Sequence, residues 1–236
     1  MNIISPDLFL NGISALGVVS VNLLIGFYSL YKANKLKAKL LTVTSLTIIF
    51  IGLLWLGPTV DFIKILLIDG TNIEPVWVYP LLSYMWAAPG ITLGMYIGGE
   101  LLMSKKKWIL VGIFLVISIA YEFFLFWDPV SSFKFVVPSP LGSDLIDTSS
   151  NYSYFTSYFL IIFILSILIF NGIGFLVKAK QSTGILRKKF LYLSIGFIVF
   201  AVIVTFDSVF PPMVALFYVR FGVIASSILL YLGIRS

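Results

Sequence analysis

Long runs of apolar residues, broken by short polar connections, fill the chain from one end to the other. Seven of these runs each approach or exceed the ~20 residues that an α-helix needs to cross a ~30 Å hydrocarbon core. The pattern therefore predicts an all-α membrane protein, with a single domain over residues 1–236 that forms a bundle of seven transmembrane helices. The predicted spans are 8–31, 40–60, 77–103, 108–127, 154–177, 190–211 and 213–234.

Prolines interrupt this pattern at two places. The second run continues beyond Pro58 as far as Ile68. This predicts either a kink or a segment that lies along the membrane interface. The last two runs meet at Phe210-Pro211-Pro212-Met213, and only a tight hairpin can join helices across so short a break.

The composition requires lipid-exposed surface. Hydrophobic residues make up 60% of the chain and charged residues 11%, and the mean hydropathy is +1.07. A soluble domain uses about 25% charged residues. The chain has no cysteine and no histidine, which removes thiolate chemistry, the commonest general base and the commonest transition-metal ligand. We therefore expect no enzymatic activity, no bound metal and no cofactor.

The basic residues predict an orientation. The connections 31–40, 104–107 and 178–189 hold twelve of the sixteen lysines and arginines, and Arg235 is a thirteenth. Under the positive-inside rule these connections face the cytoplasm, so the N-terminus lies outside and the C-terminus inside. The net charge of +6 then reflects topology and attraction to anionic lipid rather than nucleic acid. We expect a multi-pass protein of the cell membrane.

Three glycines recur at every fourth position of the third run, namely Gly90, Gly94 and Gly98. Each costs about 1 kcal/mol relative to alanine inside a helix, so their regular spacing needs a reason. Helices in lipid associate where small residues let backbones approach, which predicts that this stripe packs against another helix. The alternative is a glycine face shaped around a bound ligand. Glu100 follows at the inner end, where it is expected to snorkel or to pair with the next lysines.

Ionisable side chains lie within the outer halves of several runs. From the ~1.5 Å rise per residue, Glu122 lies ~7 Å, Asp207 ~10 Å and Arg220 ~5 Å outside the bilayer midplane. Asp61 lies nearer the outer surface, with Lys64 one turn on as its expected partner. Intramembrane charge is a functional hypothesis by default, so these acids and the arginine are candidate ligand-binding residues.

Two main interpretations of this charge cluster remain open. Arg220 is expected to hold Asp207 across the short hairpin, which would be a structural lock without a binding site. Alternatively, the cluster lines an outward-open pocket in which Glu122 is the spare carboxylate. The expected aromatic walls of that pocket are Tyr84, Trp86 and Tyr121. A proton or ion pathway is a third interpretation, although the inner half offers few acids to continue one.

Two connections are candidates for further roles. The outer connection 128–153 is the longest and is predicted to cover the mouth of the bundle as a lid. It includes Asn151-Tyr152-Ser153, which matches an N-glycosylation acceptor. The inner connection 178–189 is polybasic, and its side chains are expected to touch anionic lipid headgroups or to dock a cytoplasmic partner. These side chains are Lys178, Lys180, Arg187, Lys188 and Lys189.

The end of the chain resembles a known class of membrane sensor. The segments "VKAKQSTGILRKKFLYLSIGFIVFAVIV" and "VRFGVIASSILLYLGI" are similar to the closing half of prokaryotic seven-helix sensor regions, over residues 177–234. In that family such regions precede histidine-kinase or other output domains. We expect none after Ser236, so a signal would pass to a separate partner or through a homo-oligomer. The topology is also rhodopsin-like, but the seventh span has no lysine, so a retinal Schiff base is not expected.

Three functions are therefore compatible with the sequence. The leading hypothesis is a non-enzymatic, receptor-like membrane protein that takes a small ligand from the outer side. The second is a small-solute or ion transporter or channel that uses the same charges as a gate. The third is a structural or assembly subunit whose charges lock helices together.

Overall fold

The computed structural model describes residues 5–209 and 214–235, and most of them are helical. The α-helices are α1 (Pro6–Leu36), α2 (Lys39–Leu53), α3 (Leu56–Ile63), α4 (Val78–Tyr84), α5 (Ala87–Leu102), α6 (Lys107–Trp127), α7 (Pro129–Ser132), α8 (Phe155–Ser166), α9 (Gly174–Lys180), α10 (Gly184–Val209) and α11 (Val214–Ile234). A short π-helical turn, Lys64–Ile68, follows α3, and a 3-10 turn, Ser104–Lys106, precedes α6. The strands β1 (Phe133–Val136) and β2 (Asp147–Ser150) form an antiparallel hairpin that the sequence analysis did not predict. The end of the bundle that carries this hairpin is called the hairpin end below, and the opposite end the basic end.

Within the described residues, five helical segments are long and apolar enough to cross a membrane. They are Pro6–Leu36, Ser104–Trp127, Phe155–Lys180, Gly184–Ser208 and Phe217–Ile234. The segments Lys39–Leu53 and Leu56–Ile68 form a sixth candidate if they are taken as one bent span. The prediction of a helical, multi-pass membrane protein is therefore confirmed in this coarser form. The hairpin predicted at 210–213 lies outside the described residues.

The predicted irregularity near Pro58 is confirmed as a bend of 49° between the two parts of the second span. The break falls at Leu54 and Trp55, not at the proline itself. Proline lacks an N–H, and its ring clashes with the carbonyl four residues earlier, which here belongs to Leu54. The helix therefore ends at that point and restarts as α3.

The third predicted span, 77–103, is not one helix. It divides into α4 and α5 at Met85 and Trp86. The physical reason is the same as in the second span, since Pro89 lies four residues after Met85. The two breaks lie side by side, because the Gly57 amide at the start of α3 donates to the Ser83 hydroxyl of α4 at 3.0 Å.

A third irregularity lies between α8 and α9, where residues Ile167–Ile173 form a π-helical segment. Such segments are rare and occur frequently at functional sites. Asn171 lies within it, is fully buried, and donates from its side-chain amide to the Gly94 carbonyl of α5 at 2.9 Å. The bond joins the two spans near the middle of the bundle.

The glycine stripe of α5 is not the close backbone contact that we predicted. A Cβ on Gly90 would meet only the Phe50 side chain, at 3.6 Å, and one on Gly94 would meet nothing nearer than 3.7 Å. Gly98 alone is tightly enclosed, by the Phe170 ring at 2.8 Å and by the Asn171 side chain. The helix-packing prediction is therefore wrong for Gly90 and Gly94, and it holds for Gly98 against side chains rather than against backbone.

Close backbone approach occurs instead between α1 and α2 and between α10 and α11. A Cβ on Gly26 would lie 3.2 Å from the Ser45 carbonyl oxygen, and one on Gly196 would lie 3.1 Å from that of Ser226. These glycines let neighbouring helices meet without a hydrophobic driving force, as small residues do in lipid.

Polar contacts join the helices at the basic half of the bundle. Asn22 of α1 accepts a hydrogen bond from the Ser227 hydroxyl of α11, and both side chains are fully buried. Glu100 pairs with Lys107, which confirms the expected pairing with the lysines that follow it. The Lys107 ammonium also lies 5.3 Å from the centre of the Tyr96 ring.

The glycine geometry gives a first prediction. Gly98→Ala should lower the unfolding temperature in detergent, because overpacking of this kind costs about 1–3 kcal/mol. Gly90→Ala should leave it unchanged or raise it, because the site has room and alanine favours the helix by about 1 kcal/mol. Equal destabilisation by the two substitutions would contradict this account of the stripe.

Candidate functional site: a cavity at the hairpin end

A cavity of about 230 Å³ lies inside the bundle at its hairpin end. Ligand sites in proteins usually measure about 300–1,000 Å³, so this one suits a small molecule. Its walls come from α1, α2, α3, α4, α5, α8, the π-helical segment, α10, α11 and β2 with the residues around it. Tyr84, Trp86, Gly90 and Gly94 are among the lining residues, so two of the three aromatic residues predicted as pocket walls line this cavity.

The cavity lies where three of the predicted spans depart from regular helical geometry. Trp55 and Trp86, at the two proline-induced breaks, both line it, as does Ile167 at the start of the π-helical segment. A regular helix would fill this space with continuous turns of side chains. The open space beside Gly90 and Gly94 belongs to the same cavity, which explains why no helix packs closely against them.

The two ends of the cavity differ in polarity. The end toward the middle of the bundle is apolar and is formed by residues that include Ile91, Gly94, Ile167 and Phe197. The other end carries charge. Three charged residues line the cavity, and they are Asp147, Asp207 and Arg220. The site is therefore amphipathic along its length.

Arg220 is the central residue of the polar end. Its Nε donates to the Asp207 carboxylate at 3.1 Å, which confirms the predicted ion pair between α10 and α11. Its Nη1 donates to the Asn11 carbonyl at 2.9 Å and to the Ser14 hydroxyl at 3.1 Å, both on α1. A buried guanidinium is tolerated when paired and hydrogen-bonded in this way, and here it ties three helices together.

The Asp207 carboxylate has a second partner that the sequence analysis missed. The indole Nε1 of Trp55 donates to its other oxygen at 3.0 Å. This bond connects the break between α2 and α3 to the ion pair. Both oxygens of Asp207 therefore accept hydrogen bonds, one from the charged guanidinium of Arg220 and one from the neutral indole of Trp55.

Asp147, at the start of β2, is the second carboxylate of the cavity. It forms no ion pair within the described residues. Burial raises the pKa of its carboxyl above the ordinary value; the Asp207 charge adds to that rise, whereas the Thr148 backbone and Arg220 oppose it. The hairpin therefore places the desolvated carboxyl of Asp147 near the Arg220–Asp207 ion pair, whose two charges already cancel.

Asn11 is a neutral polar residue of this end. It lines the cavity and is only 3% exposed. Its backbone carbonyl accepts from Arg220, but its side-chain oxygen is buried without a hydrogen-bond partner in the part of the chain that the structure describes. Buried acceptors of this kind are rare and each needs an explanation.

The hairpin, with the loop between its strands, lines the cavity at this end. Residues 128–153, which were predicted to form a lid, are called the lid below. The Phe133 ring of β1 stacks on the Tyr84 ring with centroids 4.5 Å apart. The β2 residues Asp147 and Thr148 line the space beneath, together with Tyr152. The side wall between α8 and α10 is thinner, because Ile161 lines the cavity and is also 41% exposed on the outer surface of the bundle.

Asp61 holds the lid and is not part of the cavity lining. Its carboxylate accepts from the Asn72 side chain at 2.9 Å, the Ile73 amide at 2.7 Å and the Ile146 amide at 3.0 Å. The expected pairing with Lys64 is wrong, because that ammonium bonds to the loop 69–72 and pairs with Asp69 at 3.0 Å. Asp61 is therefore a structural residue that joins α3 to two loops.

Asn72 completes the attachment of the lid. Its side-chain oxygen accepts from the Gly142 amide at 2.7 Å, and its side-chain nitrogen donates to the Asp144 carbonyl at 2.9 Å. Gly142 has a φ of +79° and faces the Gly70 carbonyl so closely that no Cβ would fit. The loop before α4 and the loop before β2 are thereby interlocked.

Two further predicted site residues lie outside the cavity. Glu122 lies at the edge of the buried face of α6, about 100° around the helix from Tyr121, beside Ile119, Phe123 and Trp127. It is half-buried, and one of its carboxylate oxygens has no hydrogen-bond partner among the described residues. Tyr121 is fully buried on that inner face, but its hydroxyl donates to the Tyr84 carbonyl at 3.0 Å instead of lining the cavity. It supports the last turn of α4, where carbonyls lack helical partners.

The polybasic connection lies at the basic end, between α9 and α10. Lys180, Arg187 and Lys188 are exposed, and Lys178 and Lys189 are partly exposed. Ile185 beside them is 76% exposed, so the turn presents basic and apolar side chains together. Such a surface suits the interface between lipid headgroups and acyl chains.

Comparisons with known proteins add no relative to this picture, because no protein-family model, curated protein or solved structure matches the chain. The resemblance of residues 177–234 to sensor regions therefore stays a prediction. The fold and the site define a class on their own, which is a helical, multi-pass membrane protein with an amphipathic cavity at one end.

The Asp61 contacts give the second prediction. Asp61→Ala should leave three donors unsatisfied, each at a cost of about 1–3 kcal/mol, and should loosen the lid. Amide hydrogen exchange over residues 140–150 should therefore become faster. Asp69→Ala is the matched control, because Asp69 is an exposed acid of the same region, and it should leave exchange over 140–150 nearly unchanged. Similar exchange in the two variants would mean that Asp61 does not hold the lid.

Proposed function

We propose that this protein is a non-enzymatic, receptor-like membrane protein that binds a small, largely apolar ligand in the cavity at its hairpin end. The observation that carries the proposal is the cavity itself, with its apolar depth, its charged mouth and its cover. A structural subunit whose charges served only as locks would have no need for such a space, since protein interiors are otherwise close-packed. The Arg220–Asp207 pair then serves as one wall of a pocket and as a lock at the same time.

We further propose that the chain crosses the membrane seven times, with the hairpin end outside. In this topology α2 with α3, and α4 with α5, each count as one broken span. The positions of the basic connections support the orientation, because residues 103–107 and 178–189 share the end opposite to the hairpin. The ligand would reach the cavity from the outer side, through the lid or through the thin wall at Ile161.

The receptor hypothesis is favoured over a transporter because the half of the bundle below the cavity is closely packed. Gly98 is enclosed by Phe170 and Asn171, and the Phe175 and Phe197 rings stack with centroids 5.9 Å apart. A ligand in the cavity would contact Gly94 and Ile167. It would therefore press on the hydrogen bond between Asn171 and Gly94 and on the π-helical segment that contains Asn171. That segment is the element best placed to transmit a structural change from the ligand-bound cavity to the basic end.

A transporter remains the second candidate, and it too rests on a specific observation. Secondary transporters often bind substrates between discontinuous helices near the bilayer midplane, and two broken spans border this cavity. That function would require the packing around Gly98 to open toward the basic end.

The proposed signalling partner is either a cytoplasmic protein or a second copy of this chain. The polybasic connection, from Lys178 to Lys189, is the surface we assign to it, with membrane lipid as its other contact. Each of its basic residues near an anionic surface contributes about 1 kcal/mol of attraction.

The third prediction tests the cavity as a ligand site. Octanol, a neutral apolar probe, should raise the unfolding temperature of the native chain in detergent, because a ligand that binds only the folded state stabilises it by mass action, by about 2.7 kcal/mol at a hundredfold excess over its Kd. Gly90→Leu places a side chain in the cavity and should abolish this stabilisation while the chain stays folded.

Gly112→Leu is the matched control for that variant. A Cβ on Gly112 would meet nothing within 4 Å, so a leucine side chain there does not enter the cavity. Octanol should stabilise this control as it does the native chain. Equal stabilisation of Gly90→Leu and Gly112→Leu would place octanol in the detergent or on the surface and would overturn the proposal.

A further inference from the structure

The polar end of the cavity carries two acidic side chains and one basic side chain, so negative charge is in excess by one. Asp147 and Asp207 face a single guanidinium, that of Arg220, among the described residues that line it. Arg220 and Asp207 are already joined at 3.1 Å, so Asp147 is the acid without a cation. Lys134, the cation of β1, is exposed, is paired with Ser149 across the hairpin and makes no ion pair with Asp147.

Two groups that line this end have unused capacity to accept hydrogen bonds. The side-chain oxygen of Asn11 is buried without a partner in residues 5–209 and 214–235, and Asn11 lines the cavity at 3% exposure. A carboxylate is acceptor-only when ionised, so Asp147 adds further acceptor sites. A molecule that satisfies both must therefore supply donors.

Aromatic rings surround the same end. Trp55, Tyr79, Tyr84 and Tyr152 all line the cavity. The face of an aromatic ring is negative and attracts a desolvated cation within about 6 Å. An anionic headgroup would be repelled by these ring faces and by two carboxylates. Arg220 would not offset that repulsion, because its charge is already paired with Asp207.

From this geometry we infer that the ligand is a monocationic amphiphile, an amine with a short apolar chain. Its ammonium group would lie between Asp147 and the Asn11 side chain, and its chain would extend past Gly90 toward Gly94. The ammonium supplies both the missing positive charge and the missing donors. Burial of Asp147 raises the pKa of its carboxyl, and a bound cation would lower it.

This inference rests on the proposed function, since it names the ligand class of the same cavity. The test compares three probes that share one chain and differ in charge, namely octylammonium, octanol and octanoate. Their dissociation constants are measured by calorimetry on the full chain in nanodiscs of zwitterionic lipid. Octylammonium should bind about tenfold or more tightly than octanol, which is the scale of one hydrogen bond to a charged group, and octanoate should bind least.

Asp147→Asn keeps the shape of the side chain and removes its charge, so the preference for octylammonium over octanol should disappear. Asp144→Asn is the matched control, since Asp144 belongs to the same loop and does not line the cavity. It should keep the preference. The wild-type probe order is a separate measurement that does not depend on how either variant folds.

The outcomes separate this inference from the proposed function. If octanol binds and octylammonium binds no better, or if octanoate binds best, the cavity is a ligand site but the amine assignment is overturned. Equal losses in Asp147→Asn and Asp144→Asn would also overturn the assignment, because they would indicate a general surface charge effect. If none of the three probes binds, the proposed function itself fails.

Discussion

A single buried guanidinium determines how the helices meet at the hairpin end. Arg220 bonds to Asn11 and Ser14 of α1 and to Asp207 of α10, and Trp55 adds the break between α2 and α3 to the same cluster. A charge at this depth is costly unless it is paired and hydrogen-bonded, so these partners cannot separate without leaving it exposed to an apolar medium. The helices are held at the positions that these bonds require.

The cavity follows from that constraint together with the proline-induced breaks. Pro58 and Pro89 each end a helix four residues earlier, and the two restarts place Trp55 and Trp86 beside the same space. The π-helical segment on the opposite wall adds a third departure from regular geometry. The charged cluster holds the helices together at the hairpin end, while the irregular turns between them leave room for the cavity. Stability and the cavity therefore come from the same small set of residues.

Part of this could be predicted from the sequence. Hydropathy predicted a helical, multi-pass membrane protein, because lipid imposes a strong apolar pattern on any chain that crosses it. The positions of Arg220 and Asp207 along their helices, counted at ~1.5 Å per residue, predicted that the two would pair. The break before Pro89 followed from the same proline rule but is easily overlooked inside an apolar run. Depth alone could not show that Glu122 lies outside the cavity lining, because that depends on the rotation of α6 about its axis. The role of Asp147 depends on a hairpin fold that no hydropathy pattern reveals.

A double-mutant cycle on the ion pair tests the account most directly. Arg220→Leu alone should lower the free energy of unfolding by about 3 kcal/mol or more, because it leaves the Asp207 carboxylate desolvated without its cation. Arg220→Leu combined with Asp207→Leu should recover much of that loss, which would give a large coupling energy between the two sites. Unfolding in matched detergent provides the measurement. Costs that simply add, or an Arg220→Leu variant as stable as the native chain, would contradict the claim that this pair organises the bundle.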